Sequence, residues 1–448
     1  MLDIGLADLD RALHFHPQTD PLSLEANGPF IMAGGDGAWV TDVDGNKYLE
    51  GMSSLWCAAL GFNEQRLADA AFRQMRQLAT YHTFNGRSNQ PCIELSEELL
   101  QLTPFAGTGR VSYVNSGSEA VDSMIKAAWM YHLALGNPRK RKIISRERAY
   151  HGSTVFGAAL CGLPLMRGPF VGPQNEVLFA KAPHYYGRPD KDQTEAEFVD
   201  WLAADIESLI EREDPGTIAA MVMEPIMGAG GVIIPPDGYF DRIVPILRKH
   251  DILVLCDEVI TGFGRTGNWF GCQSFGFVPD MMSAAKALSS GYQPIGAVLF
   301  SEQVFRQVAQ EASRIGIYGH GFTYAGHPVT SAVALETLRI YRECNMLEHV
   351  RGLATEFAHQ IAALGQHELV GDARSRGLIG AVELRRRHPD TPLGPEAVEH
   401  ARAAGLILRS LGDVVAICPP LISGEAEIRE LFRRLRSALD STALSSRK

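Results

Sequence analysis

The sequence predicts an α/β protein built on a mainly parallel central sheet, and three observations carry that expectation. Between about residues 110 and 300, short apolar runs alternate with helical patterns, the order in which crossover connections build parallel sheets. Two of the runs, Ile218 to Met223 and Ile252 to Leu255, are apolar throughout, which suits strands buried on both faces. Several runs end in segments rich in Ser, Gly, Asp and Glu, where open α/β sheets bind their ligands.

Taken in order, Gly34 to Tyr48 reads as a hairpin-like segment around the turn Asp44-Gly45-Asn46. Strands are expected at Arg110 to Asn115, Lys142 to Ser145, Thr217 to Met223, Asp251 to Cys256 and Gly296 to Phe300. The first leads into Ser116-Gly117-Ser118-Glu119-Ala120 and a helical pattern from Val121 to Leu135. The third leads into Glu224-Pro225 and Gly228 to Gly231, and the fourth into Asp257-Glu258. Helices are expected over Pro328 to Arg342, Leu347 to Leu364 and Ile428 to Leu439, with a strand at Gly377 to Leu384. The expected organisation is a large domain over 56–327 and a smaller α+β domain assembled from both termini, 1–55 and 328–448. Only Ser441 to Lys448 reads as a loose tail.

The chain has 448 residues, 46% hydrophobic and 21% charged, enough for a large core and more than one domain. A net charge of -10 argues against a nucleic-acid or membrane-surface binder. The basic run Arg139-Lys140-Arg141-Lys142 is too short to reverse that field and reads as a solvated face. Seven cysteines without a C-x-x-C pair argue for reduced thiols and a cytoplasmic setting. The start, with Asp3, Asp8 and Asp10, lacks a cationic and apolar leader pattern, and no apolar stretch reaches membrane-spanning length.

Lys286 stands among small and apolar residues, Met281-Met282-Ser283-Ala284-Ala285-Lys286-Ala287-Leu288, with no charge close by. Of the other lysines only Lys181, less convincingly, has such surroundings. A desolvated ammonium loses its proton readily, as an imine-forming lysine requires. A lysine so placed is by itself more often structural, and a second feature is needed.

Asp257 supplies it, lying 29 residues earlier, a spacing that fits two neighbouring strand ends. Pyridoxal phosphate requires a lysine to hold its aldehyde as an imine and an acid to keep its ring nitrogen protonated. The nest Ser116-Gly117-Ser118 at a helix start suits its phosphate. An Asp-Glu pair also suits Mg²⁺ in nucleotide enzymes, but no G-x-x-x-x-G-K-[ST] accompanies it, and no metal is expected. Gly262-Phe263-Gly264-Arg265-Thr266-Gly267 matches G-x-G-x-x-G, yet no helix opens there. It reads as a glycine-rich active-site loop.

Leu255 to Gly267, with Pro279-Asp280 and Lys286 downstream, resembles the signature of class III (ω-) aminotransferases, fold type I pyridoxal-phosphate enzymes. Gly51 to Gly61, Tyr150-His151-Gly152, Glu224-Pro225, His320 to Tyr324 and Gly405 to Pro420 agree, so the resemblance covers nearly the whole chain. It implies that Lys286 tethers the cofactor and acts as general base. Asp257 would pair with the ring nitrogen, Val259 and Tyr150 would cover the ring faces, and Gly117 and Ser118 would hold the phosphate. Thr323 would complete the phosphate site of a neighbouring subunit, which implies a homodimer with shared sites, open to pairing again as a tetramer.

For substrates, the resemblance implies that Arg409 pairs with a carboxylate and swings away for apolar amines, its fork fitting a carboxylate bidentately. Trp56, Phe84 and Tyr150 would line the amine pocket, with Arg87 at its rim and His151, Glu224 and Phe322 in support. Val121, Ala287 and Ala325 depart from the family's usual residues, and the first two are expected to reshape the pocket wall. The expected activity is ping-pong transfer of an amino group from an amine donor to a keto-acid acceptor, pyruvate first. A diamine or biotin-pathway transaminase, a mutase and a decarboxylase remain as alternatives on the same fold.

Overall fold

The computed structural model describes residues 5–170, 172–386 and 391–445. Asp3 and the last three residues of the expected tail lie outside them.

Three sheets organise the chain. The first opens with β1 (Met32–Asp36), β2 (Trp39–Asp42) and β3 (Lys47–Glu50), an antiparallel meander. Its second turn is closed by Asp42, whose carboxylate accepts from the backbone N–H of Asp44 and Asn46. The central sheet contains β4 (Arg110–Val114), β5 (Lys142–Arg146), β6 (Val177–Ala180), β7 (Ile218–Met223), β8 (Leu253–Asp257), β9 (Met281–Ala284) and β10 (Gly296–Phe300). Its order is β4-β10-β9-β8-β7-β5-β6. The last sheet contains β11 (Val370–Arg376), β12 (Ile379–Leu384), β14 (Arg409–Leu411) and β15 (Val414–Ile417), while β13 (Leu406–Ile407) joins β3 in parallel. One small sheet thus draws strands from both ends of the chain.

The central sheet is parallel except for β10, which runs antiparallel between β4 and β9. Every residue of β7, β8, β9 and β10 is buried, because helices cover both faces. Two strands of this sheet were absent from the sequence expectation. Met281–Ala284 is too short to show periodicity, and Val177–Ala180 is an edge strand of four residues.

Three expectations fail. The helix Glu425–Ser445 continues through most of the supposed tail, where Thr442 and Ala443 are buried. Lys140 in the basic run is buried, and its Nζ donates to the carbonyls of His250 and Asp251 at 2.8 Å, satisfying groups past a helix end. Lys181 is exposed and pairs with Glu147 at 2.7 Å, so it is not desolvated.

Candidate active site

The carboxyl ends of four parallel strands converge on one cavity of about 180 Å³. Asp257 ends β8, and Glu224 follows β7. Lys286 lies two residues past β9, and Tyr150 and His151 follow β5 by a few residues. All five line the cavity, with Gly117, Ser118 and Val259. Larger cavities of about 800 and 900 Å³ lie elsewhere and contain neither Lys286 nor Asp257. Asp257 pairs in register with Ser283, three residues before Lys286, so the 29-residue spacing does span neighbouring strand ends.

Asp257 is buried and accepts three hydrogen bonds. Ser283 Oγ at 2.9 Å and the Val259 N–H at 3.2 Å reach Oδ1, and His151 Nδ1 at 2.8 Å reaches Oδ2. Burial alone would raise its pKa, but these donors hold the carboxyl below its usual range, so it stays ionised. A carboxylate offers about four acceptor sites, so Oδ2 keeps one for a further donor. Among the described residues none partners the buried His151 Nε2. Sequence reading missed Ser283, which lies in the strand that was too short to recognise.

Lys286 stands at φ 48°, a left-handed conformation unfavourable for a side chain with a Cβ. Ser53, Ser54 and Trp56 on the facing segment also have positive φ. Such strain persists where surrounding packing imposes it, and it gathers at functional sites. Among the described residues none forms a hydrogen bond or ion pair with Lys286 Nζ, which lies 5.8 Å from the centre of the Trp56 ring. Burial lowers the lysine's pKa, against the opposing pull of Asp257 and Glu224. Arg409 lies 5.2 Å from the same ring. The buried indole therefore lies near two cations, and among the described residues its Nε1 has no partner.

The Ser116 to Ser118 segment opens a helix. Ser116 caps the helix Gly117–Ala134, accepting from the Glu119 N–H at 3.2 Å, which leaves the first helical N–H groups free. A Cβ on Gly117 would lie 2.9 Å from both Val259 methyls, and one on Gly152 would lie 2.5 Å from Ser118 Oγ. Both glycines are required by close approach. Ser118 Oγ accepts from the Ser153 N–H at 3.0 Å and retains its own proton for donation. Glu224 is buried and holds two loops, accepting from the N–H of Tyr150 at 3.2 Å and of Gly228 at 2.9 Å.

Asp257 and Glu258 face opposite ways. Both Glu258 oxygens are occupied in the core by the N–H groups of Gly271 and Cys272 at 2.7 Å and by Thr261 Oγ1 at 2.5 Å. The pair therefore does not form a metal site. The loop Gly262 to Gly267 is also not part of the cavity wall. Its buried Arg265 donates to the carbonyls of Leu378 and Pro419 and to Ser53 Oγ, tying the loop to both small-sheet regions.

Phe84, Arg87, Phe322 and Thr323 do not reach this cavity within the chain. The segment around Phe84 packs instead on the one holding Thr323, with Thr83 Oγ1 donating to the Ala325 carbonyl and Asn89 Nδ2 to that of Gly326. Thr323 and Arg87 are exposed, and so are Tyr81, Phe84, Ile93, Ile317 and Tyr324 around them. Val121 and Ala287 are buried core residues and are not among those lining the cavity.

Residues 24–439 match the family description "Aminotransferase class-III". This chain belongs to the class III aminotransferases. Gamma aminobutyrate transaminase 3, chloroplastic, of Solanum lycopersicum is 44% identical over 92% of this chain and 81% of its own length. The vanillin aminotransferase of Capsicum annuum is 42% identical over 92% of both. Among solved structures, the omega transaminase of Pseudomonas jessenii in complex with PMP superimposes with a TM-score of 0.96 at 43% identity, over 98% of each chain. The PMP-bound aminotransferase of Vibrio fluvialis gives 0.95 at 38% identity, also over 98% of each.

Class III aminotransferases use pyridoxal phosphate, and the cavity fits it. The spare acceptor site on Asp257, the glycine-lined nest and the unpartnered Lys286 match its ring nitrogen, phosphate and aldehyde. No helix among the described residues is long and apolar enough to cross a membrane.

Proposed function

We propose that this aminotransferase is an ω-transaminase that moves an amino group from an amine or ω-amino acid to a small keto acid, pyruvate first. The observation that carries this reading is Arg409 beside Trp56, the same indole that Lys286 lies near. Arg409 is the carboxylate-binding cation near the cavity, and Lys286 is the cation among the residues lining it. One guanidinium beside the cavity suits an acceptor with one carboxylate.

Pyridoxal phosphate supplies the electron sink that allows a proton to leave the carbon bearing the amine. The chain supplies the rest. Asp257, kept ionised by His151, Ser283 and Val259, holds a proton on the ring nitrogen. Gly117 and Ser118 N–H groups and the Ser118 hydroxyl bind phosphate. Lys286, its pKa lowered by burial, takes a proton from the substrate carbon and returns it. Val259 and Tyr150 would cover the ring, and Leu55 in the wall with Trp56 beside Lys286 would exclude water from the substrate side. The exposed apolar surface around Phe84, Arg87 and Thr323 supports a homodimer in which these residues complete the partner's site. Seven free cysteines support a reducing compartment such as the cytoplasm.

The deciding experiment is a panel of donors, from benzylic amines to ω-amino acids, each with pyruvate and with 2-oxoglutarate. Turnover with pyruvate is expected, with loss of activity in Lys286→Ala. Strong preference for 2-oxoglutarate would refute the acceptor assignment, and turnover by Lys286→Ala would refute the site.

A further inference from the structure

The N-terminal arm reaches the candidate site through one side chain. Helices Leu6–Leu13 and Pro21–Asn27 are joined by a turn in which Gln18 stands at φ 49°. Local contacts impose that conformation. His16 Nε2 bonds Asp10 at 2.7 Å before the turn, Thr19 Oγ1 donates to the Pro17 carbonyl at 3.0 Å, and Asp20 caps the next helix. The exposed Gln18 then bridges Tyr150 of the cavity wall and Arg409 beside Trp56. Its Oε1 accepts from Arg409 Nη2 at 3.2 Å, and its Nε2 donates to the Tyr150 hydroxyl at 3.4 Å.

Arg409 forms no ion pair among the described residues, although it is half-buried. Such a guanidinium needs an acceptor. The Gln18 amide offers a single neutral oxygen, where a carboxylate offers two charged ones in a matching fork. It is therefore the weaker ligand for Arg409 and is displaced by the stronger.

We propose that Gln18 is a built-in occupant of the carboxylate site, satisfying Arg409 while an apolar amine is bound and yielding to substrates that carry a carboxylate. It is a specificity-determining residue that sets the balance between the two substrate classes. The proposal rests on the reading that Arg409 receives the substrate carboxylate.

The test uses holoenzyme and three variants, Gln18→Glu, Gln18→Asn and Arg409→Ala. Propionate binding is measured by calorimetry, and half-reactions are followed with L-alanine and with 1-phenylethylamine. A glutamate at this position competes as a charged ligand. Gln18→Glu should weaken propionate and raise the KM for L-alanine at least about tenfold, with 1-phenylethylamine within about twofold. Asn is one methylene shorter and tolerates positive φ, so Gln18→Asn should tighten propionate about threefold. If Arg409→Ala weakens propionate but Gln18→Glu does not, the Gln18 proposal fails and the carboxylate reading survives. If Arg409→Ala leaves propionate and L-alanine unchanged, both fail. Equal losses for L-alanine and 1-phenylethylamine in Gln18→Glu would also overturn the proposal.

Discussion

Replacing Asp257 with asparagine keeps the shape of the side chain and reverses the polarity of one of its two arms. If the amide oxygen stays on the side of Ser283 Oγ and the Val259 N–H, the new NH2 faces His151 Nδ1, now 2.8 Å from Oδ2. His151 Nε2 has no partner among the described residues, so the imidazole can carry its proton there and accept from the amide at Nδ1. The fold should therefore tolerate the change. The same NH2 would face the ring nitrogen of bound pyridoxal phosphate and favour its unprotonated form, which would weaken the electron sink. Exchanging a charge-assisted hydrogen bond for a neutral one costs about 1.4 kcal/mol, or about tenfold in cofactor affinity. Loss of preorganised charge where charge develops costs the rate about 100- to 1,000-fold. Cofactor titration by absorbance and single-turnover half-reactions measure the two separately. A variant with a half-reaction rate within about threefold of the parent would refute the assignment of Asp257.

Gly117→Ala would place a methyl 2.9 Å from both Val259 methyls, and overpacking of this kind costs about 1–3 kcal/mol. Cofactor affinity should fall more than thermal stability, as titration and melting curves would record. Glu50 is 5% exposed, and burial raises its pKa from the ordinary 4.5 to about 7, against a hydrogen bond from the Met52 N–H. The folded state thus keeps a proton that the unfolded chain loses between those values, and stability falls as pH rises across that window, by about 3 kcal/mol at most. Glu50→Gln should flatten this part of the stability-pH profile in denaturant titrations, and an unchanged slope would contradict it. Mixed dimers of Lys286→Ala with Thr323→Ala should regain activity neither parent has, because one hybrid site carries both intact residues. Absence of complementation would place Thr323 outside a shared site.

Much of the site was legible because its chemistry requires particular residue types at strand ends. Asp257, Lys286, Glu224 and the Ser116 to Ser118 nest stand where apolar runs give way to polar ones, and the cavity gathers them. Periodicity located the long buried strands β7 and β8 but passed over β9, whose four residues place Ser283 against Asp257. Adjacent residues are also indistinguishable by pattern. Asp257 and Glu258 looked like a pair, and strand alternation sends one to the cavity and the other to the core. Lys140 was misread for a related reason, since a charged run does not reveal which member finds buried carbonyls.

By itself the sequence determined the fold class, the family and the lysine-aspartate pair, because local hydrophobic order and motif chemistry are properties of contiguous segments. Only the tertiary structure decided which distant segments meet. It brought Gln18 to Arg409 across the length of the chain, set Trp56 near two cations, and kept Phe84 and Thr323 away from the cavity on an exposed apolar surface. Those contacts join residues far apart along the chain and depend on side-chain packing in three dimensions, which no linear pattern records.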